Sequence, residues 1–400
     1  MHSMTQQEIV TLADTCVKCG LCLPRCPTYQ KTAQEADSPR GRLALVQGFL
    51  TGTIPDTKRL ADSIDRCLEC HACEIACPAG TKITPIIDAV RTVQMNNRSA
   101  FTRWTRKQLL NLAIHPSWFM PLVQRYQNTW LQRWISNSKL LQFLNLDHIH
   151  ALLPDRPLIA ATAGTFYPAT PSDNIKTIAL FPGCIGRFID APAIAAACTI
   201  LTRFGYQVTV PSVHCCCGAL YRHDGFAQSA ARELINSAQL FSQYDKVLTV
   251  ASACLESLRL HPELAKKTDD ATRFIANLTW PVNLSLHTPP QTVWIHIPCS
   301  QRRPIGDPTS ATALLSRIPG ITVIPLPHND VCCGAAGTYM LRQPTLSRAL
   351  FADKLQIIQT VAATTIVTTN TGCAVKFASA LRNTNIMVCH PLEILANRLN

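Results

Sequence analysis

Eight cysteines fall in two runs of identical spacing, and this feature limits the fold of the 400-residue chain more than any other. Cys16, Cys19, Cys22 and Cys26 precede Pro27, and Cys67, Cys70, Cys73 and Cys77 precede Pro78. Both runs read C-x2-C-x2-C-x3-C-P. In this spacing three thiolates wrap one face of an iron–sulfur cube, and the fourth reaches the cube of the other run. The expected ligand sets are Cys16, Cys19, Cys22 and Cys77 for one [4Fe–4S] cluster, and Cys67, Cys70, Cys73 and Cys26 for the second. A zinc site would use two C-x2-C pairs per metal, with no third cysteine crowding each pair. The clustering of the 19 cysteines argues for metal and against a disulfide framework. Clusters need reduced thiolates, so the expected compartment is the cytoplasm.

Residues 1–95 are expected to form a ferredoxin-like domain holding both clusters. Forty residues intervene between Cys26 and Cys67, more than a compact two-cluster ferredoxin allows. That insert carries Gly41 to Leu50, apolar at near-helical spacing, with Ser38 and Pro39 as a helix start. The module should therefore be mostly helical. Arg40 and Arg42 are candidates for hydrogen bonds near a cluster or for surface charges at a helix N-terminus, where the macrodipole disfavours them.

The chain has a formal charge of +12 but only 16 % charged residues, and 47 % are hydrophobic, which excludes a disordered chain. Ala89 to Leu146 contains no acid and eight bases, namely Arg91, Arg98, Arg103, Arg106, Lys107, Arg125, Arg133 and Lys139. No recognition motif for nucleic acid accompanies them, so an acidic partner protein or an anionic membrane surface is the better match. Residues 96–174 are expected to be a helical connector and a linker. Trp104, Trp118, Trp130 and Trp134 place aromatics beside the bases, as at a membrane interface. The alternative is a helical pair packed across the ferredoxin module with its basic side in water. Pro154, Pro157, Pro168 and Pro171, with Gly164, mark the linker. No secretory signal or membrane-spanning helix is visible, and Ala191 to Leu201 reads as a buried helix.

The remainder is an internal repeat, expected over residues 175–290 and 291–400. Strand-like stretches at Lys176 to Phe181 and Thr292 to Ile297 lead to Cys184 and Cys299. Cys216, Cys217 and Gly218 follow Cys184 after 31 residues, and Cys332, Cys333 and Gly334 follow Cys299 after 32. Cys254 and Cys373 close the repeats after strand-like Lys246 to Val250 and Thr365 to Thr369. Helical stretches intervene, so each repeat should be a small parallel α/β domain, the two packing about a pseudo-two-fold axis. Each of these cysteines follows a predicted strand, where the binding crevice of such sheets lies. Adjacent cysteines in a strand would face opposite ways, so the pairs should lie in loops. Cys184, Cys216, Cys217 and Cys254, and likewise Cys299, Cys332, Cys333 and Cys373, are thus candidates for a redox or metal site. Cys198 and Cys389 read as core, and Cys215 as a spare ligand or none. His71, His214 and His328 adjoin these motifs as candidate hydrogen-bond donors, though ordinary loop histidines are commoner.

Together, the two ferredoxin motifs, Asp37 to Arg42, Val331 to Tyr339 and Thr369 to Cys373 resemble the iron–sulfur subunit of glycolate oxidase over nearly the whole chain. The expected fold class is α+β multidomain: a mostly helical two-cluster domain followed by two α/β cysteine-rich (CCG) repeats. The resemblance implies an electron-transfer subunit. It would take electrons from a FAD-containing partner that oxidises a 2-hydroxy acid, glycolate or D-lactate, and pass them toward a quinone or another carrier. Localisation would be cytoplasmic, with a peripheral place at the inner membrane face as an option. Two [4Fe–4S] clusters are implied, with one or two further clusters as candidates in the repeats. No G-x-G-x-x-G fingerprint is present, so FAD and NAD are expected on another chain, and no nucleic-acid partner is expected.

Similar CCG domains occur in heterodisulfide reductases, anaerobic glycerol-3-phosphate dehydrogenases and lactate-utilisation proteins. A component of such a complex, with thiol or quinone chemistry at the repeats, is the second reading. The closing motif of heterodisulfide reductase is C-x2-C, whereas Ser257 follows Cys254 here and Lys376 follows Cys373. A zinc-stabilised scaffold or nucleic-acid module is the third.

Overall fold

The computed structural model describes residues 4–116, 119–127, 129–137, 141, 147–154, 158–168, 176–281, 284–287, 289–361 and 363–399. Trp118, Lys139, Pro157 and Pro171, named above, lie outside the described residues. In the N-terminal part the insert between the motifs builds the core. Helix α1 (Gln6–Asp14) starts with a capping box, in which the Glu8 N–H donates to Thr5 Oγ1 at 3.2 Å and the Thr5 N–H to Glu8 Oε2 at 2.7 Å. Helix α2 (Pro39–Leu50) starts where the sequence predicts, its Gly41 N–H donating to Ser38 Oγ at 2.9 Å. With α3 (Lys58–Asp65) and α4 (Ile83–Asn97), these helices bury Ile9, Leu43, Val46, Ile64, Ile86, Ile87 and Val90 against one another. The cysteine runs are the loops at the ends of this small bundle.

Helix α5 (Ala100–Ile114) packs its C-terminal half on the first repeat. Its Leu110 and Ile114, one turn apart, meet Cys216, Tyr221 and Ala230 of the first repeat. There the Tyr221 hydroxyl donates to Asn111 Oδ1 at 2.6 Å. Phe101, Trp104 and Leu109 remain exposed. The expected linker contains a strand, β1 (Gly164–Phe166), which pairs antiparallel with β3 (Gln207–Val210) and supplies an edge to the first sheet. Cross-strand Thr165 and Thr209 place their hydroxyls 3.4 Å apart, a pairing that proline spacing does not reveal.

The first sheet runs β1-β3-β2-β4-β5, with β2 (Thr177–Phe181), β4 (Val247–Thr249) and β5 (Thr268–Asp270) parallel to β3. The second runs β7-β6-β8-β9, all parallel, from β6 (Gln291–Ile295), β7 (Ile321–Pro325), β8 (Thr365–Val367) and β9 (Met387–Cys389). In both, the chain leaves the first parallel strand to one side and returns past it to the other. The crevice therefore opens at the carboxyl ends of β2 and β4, and of β6 and β8.

The repeats pack reciprocally. Helix α6 (Ala191–Arg203), the first crossover of repeat 1, lies on α9 (Pro391–Ala396), the last helix of repeat 2. Helix α8 (Ser310–Ser316) lies on α7 (Ala271–Asn277) in the same relation. Their apolar faces form one core with both sheets, including Ile194, Leu201, Leu314, Leu395 and the buried Cys198 and Cys389. At the centre Ser252 Oγ and Ser300 Oγ lie 2.7 Å apart, and Asn370 Nδ2 donates to both at 3.2 Å. This arrangement matches the pseudo-two-fold packing expected from the repeat.

Two outcomes test this fold. Asp270, fully buried, caps α7 through the Arg273 N–H at 3.0 Å, and its other oxygen has no partner among the described residues. Burial first, then the neighbouring Asp307 carboxylate, raise its pKa from 3.8 to about 6. A carboxyl raised in the folded state favours folding below its unfolded pKa and loses that contribution as pH rises through about 6. Asp270→Asn keeps the cap, so denaturation at pH 8 should show it more stable than the parent by on the order of 2–3 kcal/mol. The difference should vanish near pH 4. Separately, Gly218 has φ +74°, and a Cβ there would lie 2.6 Å from the Ala230 carbonyl oxygen, against 3.0 Å from Ser347 O for Gly334. Gly218→Ala should cost roughly 2–4 kcal/mol, and more than Gly334→Ala, by the same measurement.

Candidate metal centres

The two cysteine runs share left-handed residues at matching positions. Lys18 and Gly20 have φ of +57° and +86°, and the matching Glu69 and His71 have +49° and +57°. Left-handed residues after the first and second cysteines turn successive thiols to one side, and at Lys18, Glu69 and His71 this costs strain that glycine would avoid. Cys16, Cys19, Cys22, Cys73 and Cys77 line one hollow. Cys26, Cys67, Cys70 and Cys73 line a second. The crossed grouping expected from spacing is the grouping the fold brings together, and Cys73 borders both hollows.

Cationic side chains frame these hollows. Arg42 is 1 % exposed, so it is no surface charge. Its Nη1 lies 3.8 Å from Cys26 Sγ, its Nη2 donates to Thr28 Oγ1 at 3.1 Å, and its Nε donates to the Ser63 carbonyl at 2.7 Å. Arg40 donates to the Lys18 carbonyl at 3.2 Å and closes the first loop from outside. Arg91, read from sequence as part of a basic surface, is buried and ion-paired with Glu69, and it donates to the Cys67 carbonyl at 2.7 Å. Composition gives the sign of a charge but not its burial. Removing either partner of such a buried pair costs roughly 3–5 kcal/mol.

Thiolate chemistry also suits the hollows. Burial would raise the Cys77 pKa, but hydrogen bonds from Thr81 and from the backbone of Ala79 and Gly80 outweigh it and hold the thiol below its ordinary value. Burial first, then the Cys332 thiol, push Cys70 up to about 12. A buried thiol of that kind gives up its proton to a metal more readily than to water. Such donor sets fit soft iron–sulfur clusters.

In the repeats the cysteines form two matched rows. Cys184 and Cys217 both hydrogen-bond the Cys216 thiol, and Cys217 Sγ lies 3.5 Å from Cys254 Sγ. Cys299 Sγ lies 4.0 Å from Cys332 Sγ, which neighbours Cys333, and Cys333 Sγ lies 3.1 Å from Cys373 Sγ. The Gly218 N–H points at Cys216 Sγ at 3.3 Å and the Gly334 N–H at Cys332 Sγ at 3.4 Å. The Cys-Cys pairs lie in loops as expected, whereas Cys254 and Cys373 sit in the first turns of the helices Ser252–Leu258 and Thr371–Ala380. In each row one thiol is held well below its ordinary range by its neighbours, Cys217 by Cys216 and Cys254, and Cys332 by Cys299 and Cys333. Cys215 is buried in a core cluster with Phe181 and Phe241. None of the 19 cysteines is in a disulfide.

Ser257 and Lys376, which stand where a further cysteine would make C-x2-C, are tied off. Ser257 donates to the Cys217 carbonyl at 2.7 Å and Lys376 to Ser347 Oγ at 2.9 Å. Of the histidines singled out, His71 lines the second hollow and bridges Glu74 and Glu256 at 3.2 and 3.0 Å. Burial opposes its protonation, but the two carboxylates outweigh it and raise the imidazole to about 9. His214 stacks on His115 with ring centroids 4.1 Å apart, and His328 offers its carbonyl to the Lys354 ammonium at 2.6 Å. Sequence reasoning missed His296 and Lys354, both buried beside the second row. A histidine at the end of a strand carries no motif. Burial and then the Lys354 charge hold the His296 imidazole well below its ordinary range.

The module and repeats meet through these same loops. Leu68, Cys70 and Ala72 pack on Cys332, Tyr339 and Leu350, and Arg303 donates to the Cys70 carbonyl at 2.6 Å. Arg342 pairs with Asp65 on one side and Asp224 on the other. Among the described residues no helix is long and apolar enough to cross a membrane.

Comparison with known proteins agrees with this layout. Residues 12–81 match the model of a 4Fe-4S dicluster domain, and residues 178–259 and 293–378 each match that of a cysteine-rich domain. The probable glycolate oxidase iron-sulfur subunit of Bacillus subtilis (strain 168) is 29 % identical over 386 residues, 90 % of this chain and 86 % of the relative. The glycolate oxidase iron-sulfur subunit of Escherichia coli (strain K12) is 27 % identical over 411 residues, 98 % of this chain and 95 % of the relative. Lactate utilization protein A of Geobacillus sp. (strain WCH70) is 24 % identical over 237 residues, 55 % of this chain and 99 % of the relative. With one helical dicluster domain and two cysteine-rich α/β repeats, the chain belongs to the family of glycolate oxidase and lactate utilization iron–sulfur subunits.

Proposed function

We propose that this chain is the electron-transfer subunit of a FAD-dependent 2-hydroxy-acid dehydrogenase acting on glycolate or D-lactate. It takes electrons from the flavoprotein and relays them toward a quinone or another carrier. The observation that carries this reading is the continuity of the thiol sites. Cys73 borders both hollows of the module, and Cys70 of the second hollow packs on Cys332 of repeat 2. The eight cysteines of the module are the proposed ligands of two [4Fe–4S] clusters, and the eight of the repeats those of one or two more. Bound clusters would supply single-electron transfer at potentials set by hydrogen bonds and charge around them. Arg42 and Arg91 supply that charge at the second hollow, and Lys354 and Lys376 at repeat 2.

The first hollow is the proposed port to the partner. Cys19 is exposed at its rim, with Val17 and Leu21 presenting apolar side chains to solvent 69 % and 58 % exposed. Such a rim suits transient docking of another protein close to the cluster. The flavin and the hydroxy acid belong to that partner, and the proposed site of action is the cytoplasm. The second reading, thiol chemistry of the heterodisulfide-reductase type, loses support because Ser257 and Lys376 fill the place of its additional cysteines.

Iron and acid-labile sulfide on anaerobically purified protein should reach roughly twelve to sixteen irons per chain. About eight would leave the repeats without clusters, and zinc in place of iron would overturn the reading. Cys70→Ala should lose one cluster and abolish acceptor reduction by the complex, while substrate still bleaches the partner's flavin. Retained acceptor reduction would count against the assignment. Leu21→Asp should leave iron content unchanged but slow electron exchange with the flavoprotein about tenfold or more in stopped-flow traces, an effect on association and not on the clusters.

A further inference from the structure

The two rows of thiols are not equivalent, and the side chains around them differ. Counting back three residues from the leading cysteine gives Phe181 in repeat 1 and His296 in repeat 2. Phe181 is a core residue, its ring 5.8 Å from that of Phe241. His296 is 2 % exposed and stacks on Phe377 at 4.7 Å. It also offers a nitrogen that lies, with Cys333 Sγ and Cys373 Sγ, within a set whose members are all within 4.8 Å of one another.

The hydrogen bonds fix which nitrogen is free. Asn329 Nδ2 donates to the Ile295 carbonyl at 2.9 Å, and Asn329 Oδ1 accepts from the Ile297 N–H at 3.0 Å. These two backbone bonds leave no choice in the amide's orientation. The same Oδ1 lies 3.2 Å from His296 Nδ1, so Nδ1 must carry the proton and donate. Nε2 then holds an exposed lone pair in a buried place, and it has no hydrogen-bond partner among the described residues. An imidazole oriented through Nδ1–H to an amide oxygen, with Nε2 bare, is the arrangement of a metal-ligating histidine.

A second observation comes from the charges. The Lys354 ammonium is 1 % exposed and Lys376 is 8 % exposed, and each feels the thiols of this row. The corresponding side chains of repeat 1 are Ser237, which donates to the Cys216 carbonyl at 2.9 Å, and Ser257. Buried ammonium groups are stable only beside compensating negative charge, which a thiolate-bound metal centre supplies.

We propose that His296 Nε2 is a metal ligand in repeat 2, binding a thiophilic metal together with the Cys333 and Cys373 thiolates. Repeat 1 has the phenyl ring of Phe181 in its place. The metal is an iron of a cluster or a zinc ion, both of which accept mixed sulfur and imidazole ligation. The inference rests on the reading that the repeats hold metal, and it adds that the two sites differ in kind.

The test uses the full chain, purified anaerobically with its metals, labelled with 15N-histidine. Iron and zinc are counted, pulsed EPR of the reduced protein reports histidine nitrogen at iron, and zinc-edge absorption reports it at zinc. Expected are metal beyond the irons of the N-terminal module and a directly bound histidine nitrogen at one centre. His296→Phe should lose that nitrogen signal and release the centre's metal. His296→Cys should retain the metal with sulfur in place of nitrogen. If neither variant folds, the wild-type nitrogen signal decides alone. A wild type with no metal beyond the module would overturn the metal reading of the repeats and this inference with it. Additional metal without any histidine nitrogen would overturn the inference only.

Discussion

Thiolate sulfur placed out of reach of water must be balanced by positive charge, and much of the architecture follows from meeting that requirement. Arg42 lies against Cys26, Arg91 against the Cys67 loop, Arg303 against Cys70, and Lys354 and Lys376 against the second row of repeat thiols. Each also binds backbone carbonyls or hydroxyls, so the cations that neutralise the sulfur fix the loops carrying it. Arg91 and Glu69, with His223 on the other Glu69 oxygen, extend this balance across the seam to repeat 1. The excess of basic residues in the composition is partly an internal requirement of the sites, and only partly a surface property.

The repeats show how a duplicated α/β unit can serve two ends. Backbone features are shared: the order of parallel strands, the left-handed glycine after each Cys-Cys pair, and the N–H aimed back at the first sulfur of the pair. Side chains beyond the thiols have diverged, with Phe181, Ser237 and Ser257 standing where repeat 2 has a neutral imidazole, His296, and two buried ammonium groups, Lys354 and Lys376. The Ser252, Ser300 and Asn370 hydrogen bonds tie the loops of Cys254, Cys299 and Cys373 together at the pseudo-two-fold axis. Movement of one thiol row is therefore resisted by the other.

The parts legible in the sequence were those written in periodicity and spacing. Cysteine spacing implies the crossed grouping at each hollow because so short a loop has few ways to present three sulfurs. The convergence of Cys184, Cys217 and Cys254 was legible because strand ends and sheet order determine where a crevice opens. What could not be read depends on burial and on partners distant in sequence. Arg91 looked like one base among eight, and only the fold brings it to Glu69. Gly164–Phe166 looked like linker because a three-residue edge strand has too little pattern to register. Leu110 and Ile114 give an apolar stripe, but not the identity of the surface that receives it. His296 sits in an ordinary strand end, and its isolation appears only once Asn329, 33 residues away, claims the other nitrogen.

The unequal exposure of the two hollows bears on how the protein is damaged. The Cys19 thiol of the first hollow stands open to solvent, whereas Cys26 and Cys70 of the second lie behind the contact between the module and repeat 2, beside Arg42, Leu350 and Arg303. A thiol-directed oxidant therefore meets Cys19 before it meets Cys26 or Cys70.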